Sequence, residues 1–438
     1  MKIAVVGTGY VGLVTAVCLA HTGHEVRCLD RDETKISLLR RGVPPIFEAG
    51  VRELMEENKN SLIYTADPGE AIPGAEVIFI CVGTPERADG YANLAAIYES
   101  AEEIAEHADR DCVVVVKSTV PMGTNEKLEK LLSSRIRRGI RLEVASNPEF
   151  LSQGTAVRDM LSGQRLVLGV ESETAEAVLR RVYREFDVPI LVSDRKTAEM
   201  IKYASNNFLA LKISYINEIA NLCEAVGADV ETVALGMGMD ERIGNRFLRS
   251  GVGYGGSCFP KDTKALHWLA RYHDFELKTV KAAIEVNENQ KIRLIKKARR
   301  YYPCLEGLNA AVLGLSFKPG TDDLRDAPSL QHVAVLLDNG VHVRVWDPAA
   351  MEGFRRLFTG SVRYCSSIGE ALKDTDICFI LTEWEEVRAF PLVMFPRLMK
   401  RPVVLDGRNC FDPGAAREAG IVYDSIGRRP VLGDVAQQ

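Results

Sequence analysis

A short apolar strand pattern, Lys2-Ile-Ala-Val-Val6, runs straight into Gly7-Thr-Gly-Tyr-Val-Gly12 and then into a helical stretch reaching about His21. That order constrains the fold more than any other feature of the chain. Three glycines at this spacing suit the turn between a buried strand and a helix. The first permits the tight turn, the second lets a pyrophosphate approach the backbone, and the third lets helix and strand pack closely. The helix start adds positive partial charge at the same point. Gly23 ends the helix, and Glu25–Leu29 gives a second strand that finishes at Asp30. Alone, the glycine loop fits many α/β turns. A carboxylate at Asp30 suits ribose hydroxyls and repels a 2′-phosphate, which favours NAD over NADP. Arg31 beside it leaves that preference open.

Further strand patterns lie at Val77–Val82, Val113–Lys117, Leu142–Ala145 and Leu166–Val170, with helical stretches between most of them. Such alternation is the mark of a parallel, doubly wound sheet. From about Asp194 the pattern changes. Lys196–Ala225 is long, apolar at helical spacing and free of glycine and proline, and Lys278–Arg300 is a second such stretch. The last third returns to alternation and echoes the first. Gly23-His-Glu-Val-Arg-Cys-Leu-Asp30 matches Gly340-Val-His-Val-Arg-Val-Trp-Asp347, and Ala75–Cys81 matches Thr375–Leu381. Two copies of one sheet unit flanking a helical spacer are the simplest account. The second copy has Gly314-Leu-Ser-Phe-Lys318 where the first has three glycines, so it is expected to serve a different ligand. The expected fold class is therefore α/β. Two Rossmann-like doubly wound parallel-sheet domains, 1–195 and 303–438, are joined by an all-helical middle domain, 196–302, with a long connecting helix.

Composition narrows the classes. A chain of 438 residues holds about three domains. Hydrophobic residues at 46% and charged residues at 26% are those of an ordinary soluble protein. A net charge of −5 without a basic, aromatic-interleaved tract argues against a nucleic-acid partner. The ten cysteines are scattered with no Cys-x-x-Cys pair, so no metal site is expected, and their usage fits a reducing cytoplasm. Met1–Ala20 resembles a signal peptide superficially, but the glycine spacing and Asp30 fit a strand–loop–helix better. No apolar run approaches the roughly 18 to 20 residues of a membrane span.

The chemistry concentrates in Gly255-Gly-Ser-Cys-Phe-Pro-Lys-Asp-Thr-Lys264. Most lone cysteines are packing residues. Here Gly253, Gly255 and Gly256 precede Cys258 and would let a ligand approach the backbone. Pro260 suits the first turn of a helix whose start would lower the thiol pKa, with Lys261 and Lys264 adding to the field. A thiolate beside a nicotinamide can hold an aldehyde as a thiohemiacetal and, after a second hydride loss, leave a thioester for water. The pairing reads as an oxidase of alcohols to acids. An oxyanion stabiliser is offered by Lys202 and Asn206, one helical turn apart, unless they are simply a solvated face. Glu149, in Asn147-Pro-Glu-Phe-Leu151 at a strand end, is a candidate base or a surface acid. Gly83-Thr-Pro85, Ser118-Thr-Val-Pro121 and Phe317–Asp326 are marked loops, though they hold ordinary turn residues.

These motifs together resemble the UDP-glucose/GDP-mannose dehydrogenase family from Met1 to about Arg408. Gly-x-Gly-Tyr-Val-Gly, Ser146–Leu151, Gly253–Asp262 and Phe317-Lys-Pro-x-Thr-Asp-Asp carry the likeness. The resemblance implies oxidation of UDP-glucose to UDP-glucuronate with two NAD and water. It implies Cys258 as nucleophile, Lys202 and Asn206 as oxyanion stabilisers, Asp262 and Thr119 as organisers of water, and Glu149 as the acid of thioester hydrolysis. Implied NAD contacts are Gly7, Gly9, Tyr10, Val11, Gly12, Asp30 and Lys35, together with Thr84, Thr119, Lys261 and Arg325. Implied nucleotide-sugar contacts begin with Glu149, Phe150, Leu151, Ser152, Lys202 and Asn206. They continue with Phe247, Leu248, Arg249, Ser250, Gly251 and Gly255, then Phe317, Lys318 and Arg408. Arg242 resembles an arginine that reaches the partner subunit's site, which implies a homodimer.

Two departures lie near the sugar pocket. Ser152-Gln153-Gly154 and Leu161-Ser-Gly-Gln-Arg165 stand where the family commonly has other residues, and they bear on sugar choice more than on chemistry. Relatives acting on GDP-mannose tend to carry Leu where Phe259 stands, which leans the chain toward UDP-glucose. UDP-N-acetylmannosamine remains a rival substrate, since it would use the same catalytic residues. A two-electron hydroxy-acid dehydrogenase would have no use for Cys258, and a non-catalytic NAD sensor none for the whole set.

Overall fold

The computed structural model describes residues 1–432; residues 433–438, the end of the expected third domain, lie outside the described residues. It forms two compact units. One is Met1–Ser205 with Trp268–His273, the other Asn206–His267 with the chain from Asp274 onward.

The first unit holds strands β1 (Lys2–Val6), β2 (Glu25–Leu29), β3 (Leu62–Thr65), β4 (Val77–Ile80) and β5 (Cys112–Val116). They are followed by β6 (Leu142–Ser146), β7 (Leu166–Gly169) and β8 (Ile190–Ser193). The sheet order is β3-β2-β1-β4-β5-β6-β7-β8. Central strands are continuous apolar runs because both faces are covered. Ile3 and Val5 enter one core, Ala4 and Val6 the other, as the two-residue period of a strand requires. The first six strands are parallel. β7 departs from the expected parallel pattern by pairing antiparallel with β6, Ser146 opposite Gly169. The intervening helix, Ala156–Leu161, has six residues and spans about 9 Å, too short to carry the chain back along the sheet. β8 returns to run parallel with β7 through the helix Glu173–Val182.

The helix Arg195–Val226, 32 residues long, begins in the first unit and continues in the second. The middle region also holds helices Val230–Gly238, Phe259–Tyr272, Lys278–Lys291 and Arg293–Tyr301. The stretch expected as one helix from Lys278 is thus two, separated at Ile292. The second sheet comprises β9 (Asn309–Leu313), β10 (His342–Trp346), β11 (Val362–Tyr364), β12 (Ile377–Ile380), β13 (Val403–Asp406) and β14 (Val422–Ser425). Its order, β11-β10-β9-β12-β13-β14, repeats that of β1 to β6.

The repeat reaches individual atoms. Gly7 N–H donates to Leu29 O and Gly314 N–H to Trp346 O, each at 2.8 Å. Both glycines take positive φ, +93° and +87°. Asp30 and Asp347, ending the second strand of each sheet, both accept N–H groups from the loop after the first strand. No helix of the described residues is long and apolar enough to cross a membrane.

Candidate active site

In the first unit the glycine loop has the shape its spacing demands. A Cβ on Gly12 would lie 1.7 Å from Gly7 O, so nothing but glycine lets this helix start so close to the strand. A Cβ on Gly9 would meet nothing within 4 Å, which leaves the backbone open on the side a pyrophosphate would need. Val11 lies in the first turn of the helix Tyr10–His21. Asp30 is nearly buried. Its Oδ2 accepts from Thr8 N–H and Thr8 Oγ1, both at 2.8 Å, and Oδ1 accepts from Asp32 N–H at 3.0 Å. Burial pushes its pKa up, but these hydrogen bonds and Lys35, with Nζ 3.6 Å from Oδ2, hold it below the ordinary value. The carboxylate therefore fastens the glycine loop while keeping acceptor capacity for a ribose. Asp347 has no such reserve: Leu315, Ser316, Ala349 and Ala350 N–H and the Trp384 indole all donate to it. The residues of the first loop fit an NAD; those of its echo do not.

The structure gathers further expected residues at strand ends of the first unit. Thr84 Oγ1 donates to Thr119 O at 2.9 Å, tying together the loops after β4 and β5. Glu149 is buried. Its Oε1 accepts from Lys202 Nζ at 2.9 Å and its Oε2 from Leu151 N–H at 2.6 Å. Burial raises the Glu149 pKa, but Lys202, the Leu151 N–H and Lys117 outweigh it and hold the carboxyl below its usual range. Phe150 meets two cations, with the Arg165 guanidinium 4.0 Å and Lys202 Nζ 5.3 Å from its ring centre. Ser152 N–H donates to Asp159. Tyr10 OH, expected at the cofactor, accepts from Gly154 N–H at 3.0 Å and so reaches the loop carrying Leu151 and Ser152.

In the second unit Cys258 is exposed and stands immediately before the 14-residue helix Phe259–Tyr272. Asp262 N–H donates to Cys258 O at 2.8 Å, closing the first turn. The thiol therefore lies at a helix N-terminus, as Pro260 suggested. The Asp262 carboxylate, almost wholly buried, is shared between Asn206 Nδ2 at 2.7 Å and Lys261 Nζ at 2.6 Å. Asn206, Asp262, Lys261 and Cys258 are thus one assembly, while Lys202 with Glu149 is another. The helix Arg195–Val226 carries Lys202 and, one turn on, Asn206.

The glycines before Cys258 also meet a packing demand. Their missing Cβ atoms face protein. Gly253 would meet Asn287 Oδ1 at 2.8 Å, Gly255 would meet Asp326 O at 2.5 Å, and Gly256 would meet the Phe317 ring at 2.9 Å. Phe247 takes φ +64°; Leu248 and Ser250 are buried and Arg249 exposed. Gly251 N–H donates to Asn217 Oδ1 at 2.7 Å. Lys318 Nζ lies 5.6 Å from the Phe317 ring centre. Arg408 donates to Leu381 O and Phe317 O, so it joins two loops of the second sheet. Arg325 grips Asp323 with both Nε and Nη2. Arg242 is 89% exposed, paired with Asp240 at 2.6 Å.

Sequence reasoning missed several buried polar residues. Lys117 is 2% exposed, donates to Asn147 Oδ1 at 3.0 Å, and has its pKa pushed down by burial. Glu199 holds Gly123 N–H, Asn125 N–H and Asn125 Nδ2. Asn287 and Gln290 bind the backbone of Tyr254 and Gly251. Only the run Asn287-Glu-Asn-Gln-Lys291 hinted at them, as amides and a lysine crowded into one helical turn.

Three comparisons bear on this geometry. The models for the NAD binding, central and UDP binding domains of the UDP-glucose/GDP-mannose dehydrogenase family match residues 1–187, 196–289 and 311–413. The UDP-glucose 6-dehydrogenase YwqF of Bacillus subtilis is 47% identical over 436 residues, 99% of each chain. Among solved structures, a UDP-glucose dehydrogenase from Pyrobaculum islandicum matches with TM-score 0.92 at 36% identity, covering 98% of each chain. A UDP-D-ManNAc dehydrogenase from Pyrococcus horikoshii matches with TM-score 0.86 at 28% identity, covering 98% of this chain and 99% of that one.

Proposed function

Because the chain belongs to the UDP-glucose/GDP-mannose dehydrogenase family, we propose that it oxidises UDP-glucose to UDP-glucuronate through a covalent adduct on Cys258. It is an NAD-dependent oxidoreductase. NAD held at the Gly7–Gly12 loop and Asp30 would supply the oxidising power, one hydride from the sugar C6 going to each of two NAD molecules bound in turn. Everything else falls to the protein. Lys202 and Asn206 stabilise the oxygen at C6 as it gains negative charge. Cys258 Sγ adds to the aldehyde carbon to give a thiohemiacetal, which loses the second hydride and becomes a thioester. Water, oriented by Asp262 and Thr119 and deprotonated with the help of Glu149, releases the acid and returns the thiolate.

The observation that carries this reading is the start of the helix Phe259–Tyr272, where the Cys258 thiol stands one turn from a carboxylate clasped by Asn206 and Lys261. A two-electron dehydrogenase needs no such nucleophile. The three matched family models support domains at 1–195, 196–302 and 303–438, the last holding the UDP portion on Phe317, Lys318 and Arg408. A homodimer completes the reading. Phe208, Tyr215 and Leu222 recur every seventh residue along the long helix and are 62%, 48% and 56% exposed, an apolar stripe suited to a second copy. The protein works in the cytoplasm.

The test is the NADH released per UDP-glucose under limiting sugar and excess NAD. Two per sugar, with UDP-glucuronate as product, is expected. One per sugar would mean that the reaction stops at the aldehyde, and none would move the substrate to UDP-N-acetylmannosamine or GDP-mannose.

A further inference from the structure

The turn that presents Cys258 is gripped from below by one face of the helix Lys278–Lys291. Asn287 uses both ends of its amide on Tyr254, accepting from N–H at 2.8 Å and donating to O at 3.1 Å, and Gln290 donates to Gly251 O at 2.7 Å. Lys291, the last residue of that helix, touches a different segment. Its ammonium is 4% exposed and lies 2.8 Å from both Glu288 Oε1 and Asp326 Oδ1. Burial works against its charge, yet Asp326 and Glu288 hold its pKa above the ordinary lysine value.

Asp326 is a non-glycine residue at φ +52°, a left-handed backbone that persists only where its surroundings hold it. Its carbonyl fills the space a Gly255 Cβ would need, 2.5 Å away, and the neighbouring Arg325 O accepts from Gly256 N–H at 2.7 Å. Gly256 itself is at φ +84° against the Phe317 ring. The two glycines that lead into Ser257 and Cys258 therefore lie against a piece of backbone whose strained residue is pinned by one buried lysine.

We propose that Lys291 is a positioning residue for the nucleophile: by holding Asp326 it fixes the Arg325–Asp326 backbone against Gly255 and Gly256, and so fixes where the Cys258 thiol stands at its helix start. The assignment rests on Cys258 being the nucleophile.

The test uses the full chain with Lys291→Met, Lys291→Arg and Asp326→Gly. The readouts are the rate of Cys258 alkylation by iodoacetamide, followed at that residue by mass spectrometry, with kcat, KM for NAD and thermal unfolding. Lys291→Met should slow alkylation and lower kcat by about 100-fold, the loss that a misplacement of about 1 Å can bring, while any rise in KM for NAD through the neighbouring Arg325 should be smaller than the fall in kcat. Lys291→Arg should recover most of both. Asp326→Gly guards against simple unfolding, because glycine takes the left-handed backbone without strain but offers Lys291 no carboxylate; it too should alkylate slowly. Wild-type alkylation and kcat in both Lys291→Met and Asp326→Gly, whatever their melting temperatures, would overturn the assignment. Cys258→Ser, run in parallel, separates the two ideas: if it turns over normally the nucleophile reading fails, independently of Lys291.

Discussion

At the scale of single residues, the site depends on carboxylates kept charged in places that disfavour charge. Glu149 is the clearest case. Its folded pKa lies below the unfolded value of about 4.3 because Lys202 and the Leu151 N–H outweigh burial. It therefore stabilises the protein above that unfolded value, and the contribution is lost as pH falls through the folded pKa. Lys202→Met leaves the carboxylate buried with weaker support, so burial should win and the folded pKa should rise. At pH 8 the variant should be less stable by about 3 kcal/mol, as when one partner of a buried pair is removed. The deficit should shrink on acidification as Glu149 takes up a proton. Urea unfolding across pH would show this, and a deficit that does not change with pH would contradict it. Of these residues the sequence named Glu149 and Lys202, because they sit in marked motifs. It could not reveal that they meet, since 53 positions separate them.

At the scale of elements, helices and loops are joined by side chains reading as surface acids in the sequence. Glu199, one turn before Lys202 on the long helix, is 2% exposed and caps the start of the helix Thr124–Arg135 through Gly123 and Asn125. That helix follows the loop carrying Thr119, whose carbonyl Thr84 holds. Burial raises the Glu199 pKa, and the hydrogen bonds it accepts only partly offset this. A raised carboxyl penalises the fold above its folded pKa, and the penalty disappears as pH falls through that value toward the unfolded pKa. Glu199→Gln should remove about 1 kcal/mol of capping at neutral pH. The gap in stability between wild type and variant should widen as pH falls through the Glu199 pKa, since only the wild type gains there. Thermal unfolding from neutral to mildly acidic pH measures it, and a constant gap would refute the account. The same scale explains two failures of sequence pattern. Strand β7 has the composition of any parallel strand, and its direction is set by the short helix before it. Ile292 interrupts two helical runs without a glycine or proline to announce it.

At the scale of the whole molecule, the repeated sheet was legible because Asp30 and Asp347 close the same strand pattern, and both carboxylates hold the loop after the first strand. What the pattern could not convey is that Asp347 is saturated by protein donors, which the fold alone reveals. The long helix poses a similar question about surfaces. Its periodicity gave its extent, but a helix apolar on more than one side can be buried within its own chain or against another. Ile216, Ala220 and Cys223 are buried within the second unit, whereas Phe208, Tyr215 and Leu222 face water. Leu235 on the helix Val230–Gly238 and Met239 just past its end are also exposed, at 67% and 78%. Contiguous exposed apolar surface of that kind marks an association site. Replacing Phe208 and Tyr215 together with glutamate places two charges on the stripe without touching the buried face. In sedimentation the wild type should run as a dimer and the double variant as a monomer with unchanged helical content. If both run as monomers at the concentration used in assays, the stripe has some other partner. If both run as dimers, association uses another surface, and Arg242, 89% exposed and paired with Asp240, loses its reason to be placed at a partner's site.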